Sequence, residues 1–319
     1  MASLKYLVAH MEIDRTKQYR REQHDKDGNI LKPAEISTRT ERMYLNHAIK
    51  FSEFCKIQHG CRTPEECAGH LQEYADYLVQ QGLSAGTVHT YLSGPCRYWG
   101  VPLADISKPK RIVAQSTRSR GQKAVDQRSD AQRGASPRLF DFAERVGLRR
   151  SEYQRLCGTD LVRDESGQIC VRVTRGKGGK TQLQRVLPED IEMVAAYFND
   201  RDNYIFDKTE MRNKIDIHHL RALCAQRAYA YYLEGIRDDS FRNRLIEELK
   251  ARWECGNNKT RWDPRRVEGS YHIRGANRAL ALQNGLSTSY NRLAVMAVSV
   301  FHLSHWRCDV TIGNYLLAI

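Results

Sequence analysis

A basic stretch with few large apolar side chains interrupts the chain between residues 105 and 136, and no single hydrophobic core can run through it. From residue 106 its sequence is ISKPKRIVAQSTRSRGQKAVDQRSDAQRGAS. A segment of this composition cannot bury enough apolar surface to offset the entropy lost on folding. The full chain of 319 residues is long enough for about two domains. We therefore predict a linker at 105–136 with one folded part on each side.

The part before the linker predicts a compact, all-helical domain over residues 37–104. Thr38, with a glutamate three residues later, forms a capping-box pattern before a long helix with apolar residues at helical spacing. Thr63, followed by a proline, and then Ser84 are typical first residues of two more helices. Residues 1–36 are polar and basic without a sustained period, so we predict an N-terminal extension.

The part after the linker, residues 137–319, has a mixed pattern. A helix is expected to run through PRLFDFAERVG into LRRSEYQRLCG, and two strands, GQICVRVTR and TQLQRVLP, are joined by the glycine-rich turn GKGGK. Pro188 is expected to open another helix, and further helices follow. The predicted fold class is mostly α with a small antiparallel β-sheet.

The net charge of +13 and the sequence pI of about 9.4 favour a polyanionic partner, most commonly nucleic acid. No run approaches the ~18 apolar residues of a membrane-spanning helix, and the polar N-terminus does not resemble a secretory signal. We expect a cytoplasmic protein with no membrane association, located at the nucleoid when bound to DNA. The linker is either a solvated tether or a positive strand that lies along a phosphate backbone. Its candidate DNA-binding residues are Lys108, Lys110, Arg111, Arg118, Arg120 and Lys123.

Nine cysteines are scattered over the chain without a CxxC pair. Structural zinc usually binds ligand pairs two to four residues apart, and Cys55, Cys61 and Cys67 are separated by six. His59 lies near two of them in the sequence, but reduced and mostly buried thiols are the simpler interpretation. We predict no metal site and no cofactor.

Four short blocks carry residue types that together suit one chemistry. The blocks are GLRRSE, RGKGGK, IHHLR and the C-terminal LSHWRCDVTIGNY. Each alone is more often a charged surface or a structural contact. Together they supply the groups that a phenol needs to attack a phosphodiester: cations for the non-bridging oxygens, a proton acceptor and a proton donor. The blocks supply arginines, a lysine, two histidines and a tyrosine, and the residues alone leave open whether Arg149 or Arg150 takes part.

The order and spelling of these blocks resemble the tyrosine recombinases, the family of lambda integrase and the Xer proteins. The resemblance covers about residues 37–319, and the run at 83–93 is similar to a segment of the family's core-binding domain. It implies a clamp of two domains around duplex DNA. The family's GLRxSE block places its first arginine on Arg149 and not on Arg150, with Glu152 as a supporting acid that would steer the neighbouring basic groups.

The same resemblance assigns roles to the other candidates. Tyr315 would attack the scissile phosphate to give a 3′-phosphotyrosyl bond and a 5′-hydroxyl, while Arg221 joins the first arginine in holding the non-bridging oxygens. Lys177, in the GKGxK hairpin, would protonate the leaving oxygen. His218 would serve in proton transfer, and His305 would orient the phosphate or relay a proton.

The implied activity is site-specific DNA recombination without ATP or metal, by four protomers on two DNA segments. The alternatives are a type IB topoisomerase-like relaxation of one duplex, or an inactive DNA-binding regulator with the same fold. The chain departs from the family in three ways. Ten positions instead of nine separate His305 from Tyr315, Ser304 replaces a glycine, and residues 234–285 form an additional segment that could contact DNA, contact a protomer, or be passive.

Overall fold

The structure is a computed structural model, which describes residues 2–13, 23–24, 30–32, 38–110, 134, 136–174, 176, 181–212, 215–255 and 261–317. The described chain is mostly helical with small antiparallel sheets, in agreement with the predicted class. It divides into two compact units, Met1–Ile112 and Val113–Ile319. Within the described residues no helix is both long enough and apolar enough to cross a membrane.

Unit 1 (Met1–Ile112) is built from helices and one short hairpin. The predicted helix starts at Thr63 and Ser84 are confirmed. The Thr63 hydroxyl accepts a hydrogen bond from the Glu66 amide at 3.4 Å, and the Ser84 hydroxyl accepts one from the Thr87 amide at 3.3 Å. The elements are α1 Leu4–Ala9, β1 Gln23–His24, β2 Ile30–Lys32, α2 Thr38–His59, α3 Pro64–Cys67, a 3₁₀ turn Ala68–His70, α4 Leu71–Gln80 and α5 Ala85–Tyr98.

The core of unit 1 forms where α2 and α5 approach closely. A Cβ added at Gly94 would lie 2.3 Å from the Tyr44 carbonyl oxygen, so only glycine permits this contact. Phe51 of α2 is fully buried in this core. The sequence did not predict α1, whose Leu4 and Val8 are buried in the same core. Its six residues are too short to display a helical period.

Unit 2 (Val113–Ile319) contains a three-stranded antiparallel meander and the predicted helices. The two strands expected from the sequence are present, and a third, Leu161–Arg163, pairs with the first of them. The elements are α6 Pro137–Arg145, α7 Arg150–Tyr153, β3 Leu161–Arg163, β4 Ile169–Val173, β5 Gln182–Arg185, a 3₁₀ turn Pro188–Asp190, α8 Ile191–Ala195, α9 Ile217–Gly235, α10 Asp239–Glu254, a 3₁₀ turn Pro264–Arg266, β6 Ser270–His272, α11 Gly275–Gln283, β7 Ser289–Asn291, α12 Arg292–Ala297 continued by a π-helix Val298–His302, and α13 Cys308–Thr311 continued by a π-helix Ile312–Leu316.

The prediction of one continuous helix through PRLFDFAERVG and LRRSEYQRLCG was wrong. The helix stops at Arg145, and a second, short helix begins at Arg150. The cause is a tertiary contact: Gly147 lies against α9, where an added Cβ would be 3.1 Å from the Cys224 Cβ. The Gly147 carbonyl also accepts a hydrogen bond from the Arg221 guanidinium. The break therefore lets the chain pass close to α9 and bond to it.

Helix α9 lies at the centre of unit 2 and separates its two cores. Leu220 and Ile217 pack with α6 and the meander, while Ala225 and Ala228 pack with α12 and α13. A side chain between these two faces is therefore covered by both parts of the unit. Arg221 occupies such a position and is 1% exposed.

Part of the additional segment 234–285 packs on its own unit. Trp253 of α10 contacts Trp306 edge-on, with ring centroids 4.9 Å apart. The ring centroid of Trp262 lies 6.5 Å from that of Trp306. The Arg266 guanidinium lies over Trp253 at 4.1 Å. This aromatic cluster fixes the position of Trp306, the residue that follows His305.

Candidate active site

A buried acid joins the two candidate arginines. Arg149 Nη1 donates to Glu152 Oε1 at 2.6 Å, and the Arg149 amide donates to Glu152 Oε2 at 2.7 Å. Arg221 Nη1 lies 3.9 Å from the same Oε2. Because the Glu152 side chain is 1% exposed, it neutralises part of the arginines' charge away from solvent.

Two further contacts define the position of Arg221. Its guanidinium donates to the carbonyls of Gly147 and Leu303, the latter at 3.0 Å. These acceptors come from the break before α7 and from the end of the π-helix Val298–His302. Arg221 therefore ties together three distant parts of the sequence, while its Nε has no hydrogen-bond partner among the described residues.

The two adjacent arginines 149 and 150 point to different places. Arg150 Nη2 donates to the Ile215 carbonyl at 2.5 Å, and Nη1 lies 3.4 Å from the Met211 carbonyl. Arg150 thus braces the loop before α9. Arg149, in contrast, pairs with Glu152 in the ion-pair cluster that includes Arg221.

The imidazole of His305 is held by Ser299, a residue that the sequence analysis did not single out. The Ser299 hydroxyl lies 2.6 Å from the His305 carbonyl oxygen, 2.8 Å from His305 Nδ1 and 3.1 Å from the Arg307 amide nitrogen. The hydroxyl has one proton, and the carbonyl can only accept it. His305 Nδ1 must then be the donor to Ser299, so in the neutral ring Nε2 is unprotonated.

The electrostatics of the site agree with a neutral ring. Burial, together with the positive charges of Arg221 and Arg149, lowers the pKa of His305 to about 4. Nε2 is buried and has no hydrogen-bond partner among the described residues. An unpaired buried acceptor is costly to a folded protein, and such groups are frequent in catalytic sites. His305 Nε2 is therefore unprotonated and can accept a hydrogen bond or relay a proton, although its surroundings disfavour a stable imidazolium.

Ser304 keeps the backbone shape that a glycine would adopt before the histidine. Its φ is +57°, in the left-handed region that non-glycine residues rarely occupy. This turn directs the chain so that the His305 amide donates to the Ser299 carbonyl at 2.8 Å. The serine substitution noted in the sequence therefore leaves the turn in place at some cost in strain.

Tyr315 lies in the middle of these groups, on the π-helix Ile312–Leu316. Its ring centroid is 5.2 Å from that of His218 and 6.4 Å from that of His305. The Arg221 Cζ lies 5.7 Å from the ring centroid. The tyrosine is 7% exposed, and its backbone carbonyl accepts a hydrogen bond from Gln226 Nε2 at 3.1 Å.

The structure thus brings most of the predicted catalytic residues to one place, together with the supporting acid. Those that lie together are Arg149, Glu152, His218, Arg221, His305 and Tyr315. Lys177 lies outside the described residues, as do the linker residues Arg111, Arg118, Arg120 and Lys123. Lys110 is exposed, whereas the Lys108 ammonium folds back to the carbonyls of Leu103 and Ile106, the latter at 2.8 Å.

Two polar residues at the site had no sequence signal. Ser299 lies in the apolar run AVMAVSVF, where a lone serine is typical of a buried helix, and Gln226 is one polar residue among several in α9. Their contacts join residues that are 6 and 89 positions apart in the chain, respectively. A spacing pattern does not carry that information.

No protein-family model and no curated protein matches the chain. Among solved structures, the crystal structure of XerA recombinase aligns with 60% of this chain and 78% of its own, at 16% sequence identity and a TM-score of 0.24. A likeness of that degree carries no weight by itself. The functional assignment rests instead on the residues that meet at the site.

Proposed function

We propose that the protein is a site-specific DNA recombinase that cleaves and rejoins duplex DNA through a 3′-phosphotyrosyl intermediate. The observation that carries the proposal is the convergence of Arg149, Arg221, His218 and His305 around Tyr315. Blocks up to 166 positions apart in the sequence supply these groups to one site. The chemistry needs cations for the phosphate oxygens and a proton acceptor beside the phenol, and the site has both.

In the proposed reaction the Tyr315 hydroxyl oxygen forms a bond to the scissile phosphorus, and the bond from phosphorus to the 5′ oxygen breaks. His218 takes the phenol proton, and His305 Nε2 orients the phosphate or relays the proton. Arg149 and Arg221 hold the non-bridging oxygens, and Lys177 donates the proton that the leaving 5′ oxygen needs. Attack by a 5′-hydroxyl on the phosphotyrosyl bond reverses these steps, so the phosphodiester energy is retained.

The additional residue between His305 and Tyr315 has a structural counterpart. A π-helical turn holds one more residue than an α-helical turn, and the Leu317 amide donates to the Ile312 carbonyl, five residues back, at 2.7 Å. We infer that this turn accommodates the tenth residue while the tyrosine still faces the basic groups. Such turns are frequent at functional sites.

The described arrangement also implies a movement before cleavage. Arg221 is 1% exposed and Tyr315 lies over it, so a phosphate reaches the guanidinium only after the tyrosine segment shifts. Gln226 holds that segment through the Tyr315 carbonyl. We propose that a neighbouring protomer in a tetramer on two DNA segments releases it. Gln226→Ala should then speed adduct formation by the isolated protomer, and an unchanged rate would contradict the restraint.

A covalent trap tests the activity on duplexes of any sequence, so the target site need not be chosen beforehand. The protein is incubated with a library of nicked duplexes of random sequence, in which cleavage releases a short 5′-hydroxyl fragment that diffuses away. Protein–DNA adducts that survive denaturation are recovered and sequenced. Tyr315→Phe is the matched control, because it removes one hydroxyl and leaves the DNA-binding surface unchanged. Equal adduct yields for both proteins would exclude Tyr315 as the nucleophile.

Two further measurements separate the proposal from its alternatives. Strand exchange between two selected sites indicates recombination, whereas relaxation of a single supercoiled circle without exchange indicates a topoisomerase, and binding without adduct indicates a regulator.

If the linker contacts DNA, the slope of log affinity against log salt, about −0.9 per phosphate contact, should flatten when Arg118, Arg120 and Lys123 are neutralised. An unchanged slope would make the linker a tether.

A further inference from the structure

Unit 1 holds a cluster of two histidines and one glutamate that is separate from the candidate active site. His59 Nε2 lies 2.9 Å from Glu73 Oε2, and His70 Nδ1 lies 3.3 Å from Glu73 Oε1. The two imidazole rings stack with centroids 3.8 Å apart. One nitrogen of each ring thus approaches a different oxygen of one carboxylate, and the three ligand atoms all lie within 4.8 Å of one another.

We propose that His59, His70 and Glu73 bind a divalent transition-metal ion of the zinc class. Two imidazole nitrogens and one carboxylate are a donor set that such ions prefer, with water in the fourth position. Tetrahedral zinc with bonds of about 2.0–2.1 Å places its ligand atoms about 3.3 Å apart. The distances of 2.9 and 3.3 Å between nitrogen and oxygen are within a few tenths of that value.

The backbone positions of the three ligands are set by ordered elements. His59 is the last residue of α2, His70 ends a 3₁₀ turn, and Glu73 lies in the first turn of α4. Gly60, with φ of +69°, ends α2 at that point. The carbonyl end of a helix carries a partial negative charge, so the C-terminus of the 22-residue α2 also favours a cation beside His59.

Ion binding requires only a modest side-chain adjustment. In the described arrangement the rings are nearly parallel, at 13°, so both lone pairs cannot point at one ion. The His59 and His70 side chains are 27% and 25% exposed, and their outer faces leave room for rotation about χ2. Binding should therefore open the stack and replace the direct contacts to the carboxylate with metal–ligand bonds.

The cysteines near these residues in the sequence do not belong to the cluster. The Cys61 thiol donates to the Glu66 carbonyl at 3.6 Å, and the Cys67 thiol donates to the Thr63 carbonyl at 3.4 Å. Cys55 is fully buried in the core. The predicted buried thiols are confirmed for these residues, and His59 is paired with partners other than the cysteines considered from the sequence.

The test measures Zn²⁺ and Co²⁺ binding by the full-length chain. We expect one ion to bind, a rise in melting temperature with Zn²⁺, and a Co²⁺ spectrum with weak d–d bands and no thiolate charge-transfer band. His59→Ala, His70→Ala and Glu73→Gln should each weaken binding by about tenfold or more, since even the loss of an outer contact to a ligand costs that much. His10→Ala, which removes an exposed histidine of the same unit, should bind like the wild type.

The outcomes are distinguishable from a failure of the catalytic proposal, because the assay requires no DNA and no cleavage. Circular dichroism verifies that each variant is folded, and all three substituted side chains are partly exposed. A thiolate charge-transfer band would place the ion on cysteines and overturn the proposal. The proposal is also overturned if micromolar Zn²⁺ does not bind to the protein, or if the three variants bind Zn²⁺ as tightly as His10→Ala does.

Discussion

Replacing Ser299 with alanine tests how the active site controls His305. The Ser299 hydroxyl makes three hydrogen bonds, to His305 Nδ1, the His305 carbonyl and the Arg307 amide. At about 1 kcal/mol for each bond, Ser299→Ala should lower the free energy of unfolding by about 3 kcal/mol. Denaturant titration by circular dichroism measures this loss.

The catalytic effect should exceed what destabilisation explains. Without the hydroxyl, the proton on the imidazole can move to Nε2 and the ring can rotate, so Nε2 ceases to be a fixed acceptor. A positioned acid or base contributes about 10²–10⁴-fold to a rate, and we expect Ser299→Ala to slow single-turnover adduct formation by about 10²-fold. The assay uses a nicked duplex selected from the library, at a temperature where the variant is fully folded.

A double-mutant cycle separates positioning from a general structural role. If Ser299 acts through His305, Ser299→Ala should have little further effect on the rate in a His305→Ala background. Ser299→Thr retains the hydroxyl and should restore much of the rate. Independent, multiplicative effects of the two alanine substitutions, or a normal rate for Ser299→Ala, would refute the positioning role.

Three other properties follow from the described contacts. Arg149→Ala should slow adduct formation by about 10²-fold or more. Arg150→Ala removes contacts to backbone carbonyls, so it should mainly lower stability. Equal losses of rate in the two variants would contradict these different roles. Burial and the nearby arginines lower the pKa values of His305 to about 4 and His302 to about 3. As the pH is lowered below about 6.5, these histidines take up protons in the unfolded chain but not in the native chain. The free energy of unfolding should therefore decrease between about pH 6.5 and about pH 3. Replacing either histidine with glutamine should make this decrease less steep. Ser304→Gly should raise stability by about 0.5–1 kcal/mol through relief of the positive φ, and Ser304→Ala, which retains the strain, should give no gain in thermal melts.

Local signals in the sequence were sufficient to predict the helix starts. Thr63 and Ser84 cap helices because each hydroxyl bonds an amide three residues away, and such contacts lie within a window that a sequence pattern covers. The alternating strands around GKGGK were likewise predictable. The break at Gly147 was not, because the cause is its contact with α9, more than 70 residues later.

The sequence by itself determined which residue types are available for the chemistry, whereas only the tertiary structure decided which of them meet. Arg149 and Arg150 are adjacent and chemically identical, so composition and spacing leave them equivalent, and only the resemblance to the GLRxSE block favoured Arg149. They differ because the chain enters a short helix between them: one guanidinium then reaches Glu152 and the other reaches the Ile215 carbonyl. Ser299 has a role at His305 for the same reason, since a hydrogen bond depends on the distance between atoms, which packing sets.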